Sequence, residues 1–243
     1  MGSQYRAGMT KLRIAVAGAG VIGQAHMKVL HNSPTCTLCA IVDPSPAAVA
    51  LAAQAVVPLY ASLDDMQAAG RPDGVILATP NHLHVPLALA CIAQQLPILL
   101  EKPIASTASE GLQLLNVVEQ TGAKVLIGHH RAHSPIMAKA KEVVASGQLG
   151  QLVSVMGSAT FLKPDHYFED APWRSEPGAG PILLNMIHEV HNLRMLCGDI
   201  VAVQGTPVRF VQIRPLQPNS TEAGPCRLAS LQASSQSGSP QIS

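Results

Sequence analysis

Short apolar runs alternate along the first half of the chain with longer stretches in which apolar positions recur every three or four residues. The runs at 12–17, 38–42, 57–60, 74–78, 98–100 and 124–127 predict strands, and the stretches at 21–31, 46–54, 63–69, 85–94 and 109–121 predict helices. Most of the strands are apolar throughout instead of alternating, which is the pattern of a sheet covered on both faces. Strand and helix in strict alternation, with that patterning, predict an α/β fold with a doubly wound parallel sheet. A complete Rossmann-type domain is expected over residues 11–128.

The pattern beyond residue 128 is less regular. A helix over 135–146 is expected to end at Gly147, and "GQLVSVMGSATFL" (150–162) predicts a strand that opens a second, partial α/β domain over 129–204. A Pro/Gly-rich loop then leads to "PILLNMIHEVHNLRMLCG". Here Leu183, Ile187, Val190, Leu193 and Leu196 fall on one helical face, and Gly198 is a stop. Residues 205–243 are rich in Pro, Ser and Gln and hold no period after Ile213, so a frayed or disordered tail is expected there.

Composition narrows the class. Of 243 residues, 47% are hydrophobic and 13% charged, with a net charge of +1, which describes a compact, non-disordered protein. No basic cluster suggests nucleic acid or an anionic membrane surface as a partner. No apolar stretch approaches the roughly 18 residues of a spanning helix. The polar start runs directly into the first strand with no signal-peptide core, so a cytoplasmic location is expected; Met9 is an alternative start. The five cysteines are scattered, and Cys36-x-x-Cys39 lacks a second pair, which favours buried thiols over a zinc site.

Chemistry concentrates at predicted strand ends. "VAGAGVIG" places Gly18, Gly20 and Gly23 directly after the first strand, with Val21 and Ile22 between the last two. The first glycine permits the turn, the second lets the backbone approach a pyrophosphate, and the third allows close helix–strand packing. Asp43 ends the second strand, placed to accept hydrogen bonds from an adenine-ribose diol and to repel a 2′-phosphate, so NAD is expected over NADP. Thr79, Pro80, Asn81 and His84 follow the fourth strand on the rim of the ligand crevice, although His84 fits local packing equally well.

In "LLEKPIAS", Glu101 and Lys102 follow the fifth strand on the same rim, and Pro103 restricts the backbone of Lys102. On spacing alone this is either a surface ion pair or a lysine held for chemistry. A lysine desolvated beside a cationic nicotinamide ring has a lowered pKa and can act as a base. Histidines at 129, 130 and 133, or at 188 and 191, raise the alternative of a metal hydrolase. "HEVH" has i, i+3 spacing, not that of a zinc-protease helix, and no metal is expected.

Taken in order, G-A-G-V-I-G, T-P-N-x-x-H, E-K-P and a glycine loop before a histidine-bearing helix resemble the Gfo/Idh/MocA family of NAD(P)-dependent oxidoreductases, from Lys11 to Val203. The resemblance implies a Rossmann domain followed by an α/β domain with a large open sheet. It also implies oxidation of a secondary alcohol of a sugar, inositol or cyclic diol, or the reverse reduction. Lys102 resembles the family's catalytic lysine, in relatives often followed by a cis bond to proline, and His188 the histidine that contacts the substrate hydroxyl. Trp173 and Arg174 match a loop that reaches cofactor or substrate, Arg131 and His130 match positions near the substrate pocket, and Lys163 is either a ligand to the substrate or a surface residue.

Two departures stand out. Leu184 and His191 occupy positions where many relatives carry aspartate, so a Lys/Asp/His relay is replaced by Lys102 with His188, helped by Asn185. Family character also fades near Gln204. The expectation is a truncated or altered member lacking several strands of its second sheet, which counts against a homo-oligomer. The rival reading is a dinucleotide-binding protein without a competent active site.

Overall fold

The computed structural model describes residues 10–158, 163–176, 179–180 and 182–204. The chain divides into two compact units, Met1–Gly128 and His129–Ser243.

In the first unit, β1 (Leu12–Ala17), α1 (Val21–His31), β2 (Cys36–Val42), α2 (Ala47–Ala55), β3 (Leu59–Tyr60), α3 (Leu63–Ala69), β4 (Gly74–Leu77), α4 (His84–Ala93), β5 (Ile98–Leu100), α5 (Ala108–Thr121) and β6 (Val125–Ile127) follow one another. All strand pairs are parallel, in the order β3-β2-β1-β4-β5-β6. This is the doubly wound Rossmann order.

The uninterrupted apolar character of the strands has a direct cause. Ala15, Ala17, Ala40, Val42, Val75, Leu77, Ile98 and Leu100 face one side and pack with Leu63, Met66, Val85, Ala88, Ile92 and Leu114 of α3, α4 and α5. Their neighbours Val16, Ile41 and Ile76 face the other side, where Leu30 of α1 and Ala48 and Ala52 of α2 cover them. Successive side chains point to opposite faces, so a sheet buried on both must be apolar at every position.

Local signals set the helix ends. Ser62 accepts from the Asp65 N–H at the start of α3, and Thr107 with Glu110 forms a capping box on α5. Gly122 closes α5 in the left-handed region at φ 65°, while the same conformation after α2 falls on Val56, at φ 54°. A register shift between Ile14 and Ala15 leaves Cys39 as an extra residue in β2.

The second unit contains a 3-10 turn His130–His133, then α6 (Pro135–Ala145), the short α7 (His166–Glu169), a 3-10 turn Pro172–Ser175 and α8 (Ile187–Cys197). Two expectations are corrected here. The strand expected over 150–162 is absent from its described part, 150–158, where Val153 and Met156 are exposed. A strand needs a neighbour for its backbone groups, and none of the described residues supplies one. The helix expected from residue 181 opens as a π-turn, Ile182–Met186, before α8 begins. The tail expected over 205–243 lies outside the described residues. Among the described residues no helix is long and apolar enough to cross a membrane.

Candidate functional site

The carboxyl ends of β1 and β4 lie side by side at the centre of the sheet, and their connections leave in opposite directions. Such a switch point opens a crevice above the strand ends. Each crevice residue expected from the first half of the sequence sits on the loop, or the first turn of the helix, that follows β1, β2, β4 or β5.

The three glycines have different structural reasons. Gly18 adopts φ +93°, and a Cβ there would stand 2.5 Å from the Ala78 carbonyl oxygen. A Cβ on Gly23 would lie 1.8 Å from the Gly18 oxygen, so the start of α1 can approach β1 only with glycine there. Gly20 differs: its φ is −68°, and a Cβ would meet nothing within 4 Å. Nothing among the described residues demands glycine at position 20; the open space beside it fits the backbone approach of a pyrophosphate. No acidic residue or side-chain cap occupies the first turn of α1, so its N-terminal amide groups and partial positive charge face that space. Val21 and Ile22 flank it, 75% and 44% exposed.

Asp43 closes the other side of the loop. Its Oδ2 accepts from the Ala19 N–H at 2.7 Å and its Oδ1 from the Ser45 N–H at 2.8 Å. Gln24, not anticipated from the sequence, donates to the Ala19 carbonyl at 3.0 Å. Beyond β4, Thr79 and Pro80 are half-buried and Asn81 is buried. Thr79 Oγ1 is buried with no hydrogen-bond partner among the described residues, which leaves its hydroxyl for a polar group entering the crevice.

His84 turns away from that role. It is 1% exposed, with Nδ1 2.7 Å from the Pro103 carbonyl oxygen and Nε2 2.9 Å from that of Thr79. Burial pushes its pKa down against the pull of the two carbonyls and of Glu101. Both ring nitrogens face backbone carbonyl oxygens, and the neutral ring donates to one of them, so His84 lies between the β4 loop and the E-K-P turn.

Lys102 is half-buried at the end of β5, and its bond to Pro103 is cis. Glu101 beside it is 7% exposed, and its Oε1 accepts from Nε2 of His26 on α1 at 2.9 Å. Its Oε2 accepts from the Lys102 N–H at 3.2 Å. Burial alone would raise the Glu101 pKa; the hydrogen bonds from His26 and Lys102, with their charges, hold it below the usual carboxylate value. Neither His26 nor the close approach of Gly128 to this carboxylate was legible in the sequence, because no spacing rule links positions so far apart.

In the second unit, four histidines gather where the 130–133 turn meets α8. His129 stacks on His191 with centroids 4.4 Å apart, and His130 meets His188 edge-on at 5.0 Å. His188 is buried, and Asn185 is half-buried in the π-turn before it. Arg131, expected near a substrate, is ion-paired with Glu189, whose other oxygen accepts from Asn192 at 3.1 Å. Arg174 lies over the Tyr167 ring at 4.0 Å and donates to the Tyr167 carbonyl, with Trp173 half-buried beside it. No group of three or more His, Cys, Asp or Glu side chains among the described residues is placed to hold a metal ion.

Comparison with known proteins agrees with the Rossmann fold of the first unit. Residues 12–129 match the family model described as an oxidoreductase family with an NAD-binding Rossmann fold, and residues 137–220 match the GFO/IDH/MocA C-terminal domain. The chain is 31% identical over 194 residues to the rhizopine catabolism protein MocA of Rhizobium meliloti, covering 79% of this chain and 59% of that protein. It is 31% identical over 195 residues to an inositol 2-dehydrogenase of Leifsonia xyli subsp. xyli, covering 79% and 55%. The WlbA dehydrogenase of Chromobacterium violaceum, solved in complex with NADH and UDP-GlcNAcA, aligns with a TM-score of 0.76 at 25% identity, over 82% of this chain and 59% of that one. The chain therefore spans somewhat over half the length of these relatives.

Proposed function

This chain belongs to the Gfo/Idh/MocA family of oxidoreductases, and from that membership we propose that it transfers a hydride between NAD and a secondary alcohol or ketone of a sugar, inositol or cyclic diol. The observation that carries the reading is Lys102, held on the same crevice rim as the glycine loop. β5 is the second strand from β1, so Lys102 and the loop are separated by two strand spacings, about 10 Å.

Gly18, Gly20, Val21, Ile22 and Gly23 would hold the pyrophosphate, Asp43 the adenine-side ribose, and Thr79, Pro80 and Asn81 the passage across β4. Nicotinamide, when bound, supplies or accepts the hydride. Lys102 takes the hydroxyl proton as the carbon loses its hydride, so that the C–H and O–H bonds break while the C=O bond forms; in reduction the same amine returns the proton. His188 is assigned to orient the substrate hydroxyl with help from Asn185, and Arg131, Trp173 and Arg174 to the substrate side, roles that rest on the family resemblance. The Asp43 carboxylate favours NAD because a 2′-phosphate would meet like charge. The same reading puts the protein in the cytoplasm, in keeping with the free thiols of Cys36, Cys39, Cys91 and Cys197.

The test is turnover of a polyol and inositol panel with NAD and with NADP, by wild type and Lys102→Ala. NAD-dependent turnover that Lys102→Ala abolishes, with NADH affinity retained, supports the reading. Undiminished turnover in Lys102→Ala refutes the role of the lysine. Saturable NADH binding with no turnover across the panel leaves a dinucleotide-binding protein in place of a dehydrogenase.

A further inference from the structure

We propose that His26 is a positioning residue for Lys102, acting through the buried carboxylate of Glu101; this rests on the reading of Lys102 as the proton-exchanging group. His26 lies on α1, the helix whose first turn borders the glycine loop, and its Nε2 donates to Glu101 Oε1 at 2.9 Å. The second oxygen of the same carboxylate accepts from the Lys102 backbone N–H at 3.2 Å. A glutamate folded back onto the next residue's amide fixes the rotation of the peptide between them, and with it the direction in which the Lys102 side chain leaves the backbone.

The carboxylate has little freedom to give up that contact. Gly128, at the end of β6, lies against it so closely that a Cβ there would stand 2.8 Å from Oε1 and 2.9 Å from the carboxyl carbon. On the far side of the lysine, the Pro103 carbonyl oxygen lies 2.7 Å from Nδ1 of the buried His84. Glu101, Lys102 and Pro103 are thus clamped from α1, from β6 and from α4.

Stability alone is a poor reason for such a device. A buried carboxylate with its hydrogen-bond partner is commonly matched or exceeded by apolar side chains of the same volume, because the charge must be desolvated. What the pair adds is a link: the helix that borders the glycine loop and the turn that carries the lysine are joined by one charge-assisted hydrogen bond. Movement of α1 is transmitted to Lys102 through Glu101.

The test compares His26→Ala and His26→Gln with wild type in the full chain; glutamine keeps an N–H within reach of Oε1. Three readouts are taken: NADH affinity by fluorescence, kcat and KM on a polyol that wild type turns over, and the rate of reductive methylation of the Lys102 amine, followed by peptide mass spectrometry. His26→Ala is expected to lower kcat by about tenfold to a hundredfold, the consequence of losing one charge-assisted hydrogen bond, with NADH affinity and KM within about threefold. The Lys102 methylation rate is expected to change with it, and His26→Gln to restore both.

Unchanged kcat and unchanged methylation in His26→Ala overturn the proposal. So does equal loss in both variants accompanied by a fall in melting temperature, which marks a purely structural role. If Lys102→Ala remains active, the reading of the lysine fails instead, whatever His26 does. In a chain that binds NADH without turnover, the methylation rate alone decides.

Discussion

Gly20→Ala and Gly23→Ala are both single-methyl additions to one loop, yet the structure predicts opposite consequences for them. At Gly20 the backbone is in a region open to alanine, and the new Cβ meets nothing within 4 Å. Alanine is a poorer N-cap than glycine, a loss of up to about 1 kcal/mol, and this is offset by the roughly 0.4–1 kcal/mol gained from a stiffer unfolded chain. The variant should therefore melt within about 4 °C of wild type. Its NADH affinity should nevertheless fall at least tenfold, about 1.4 kcal/mol, because the methyl stands where the backbone must approach phosphate. At Gly23 the added Cβ would be 1.8 Å from the Gly18 carbonyl oxygen, roughly 1.5 Å inside van der Waals contact. The oxygen cannot retreat, since Gly18 is itself packed against Ala78. The cost should lie at or above the 1–3 kcal/mol typical of overpacking, so stability and NADH binding should fall together. Thermal denaturation by circular dichroism and an NADH fluorescence titration on each variant decide the matter. Wild-type NADH affinity in Gly20→Ala would refute the assignment of that open space to a pyrophosphate.

Other consequences can be checked with the same purified protein. Val56 is a β-branched residue in the left-handed region and 89% exposed, so Val56→Asn should raise stability by about 0.5–1 kcal/mol, seen as a higher urea midpoint with an unchanged slope. Burial pushes the Cys91 thiol up to about 12 while Cys197 is exposed; iodoacetamide at pH 8 should label Cys197 in the native protein and Cys91 only after unfolding, by peptide mapping. The folded-state pKa of Glu101 is depressed below its usual 4.5, so the stability it contributes as a carboxylate is present above that pH and is lost as pH falls through the lower value. In urea titrations the gap between wild type and Glu101→Gln should therefore be full at pH 6 and narrow below pH 4.5. A gap that widens on acidification would contradict the sign.

The sequence by itself determined which segments form the first unit and which residues fall at its strand ends. Apolar runs and helical periods are local, and they placed all six strands of the sheet with errors of a few residues: β2 starts two residues earlier than its apolar run suggests, and β3 is reduced to Leu59–Tyr60. Once the sheet is parallel, every strand's carboxyl end lies on one rim, so Gly18, Asp43, Thr79 and Lys102 share a crevice for topological reasons that the order of elements already contains. The second unit was less legible. Its 152–158 segment looks like a strand in isolation, but pairing depends on a partner, and the π-turn before His188 leaves no mark in an apolar spacing of three and four.

Tertiary structure alone decided what each crevice residue is committed to. His26 and Glu101 are 75 positions apart and meet because α1, packed over β1, β2 and β4, brings His26 within reach of the residue that follows β5. Gly128 closes on the same carboxylate because β6 pairs alongside β5, Leu100 against Ile127. His84 reads in sequence as a crevice residue or a local packing residue, and in space it lies buried between two carbonyl oxygens. The three glycines form one motif on paper, yet two of them are required by contacts within the protein and one is left open to a ligand. Periodicity reports which face of an element is buried, while hydrogen-bond partners and close contacts depend on distances between elements, which exist only after the sheet has formed.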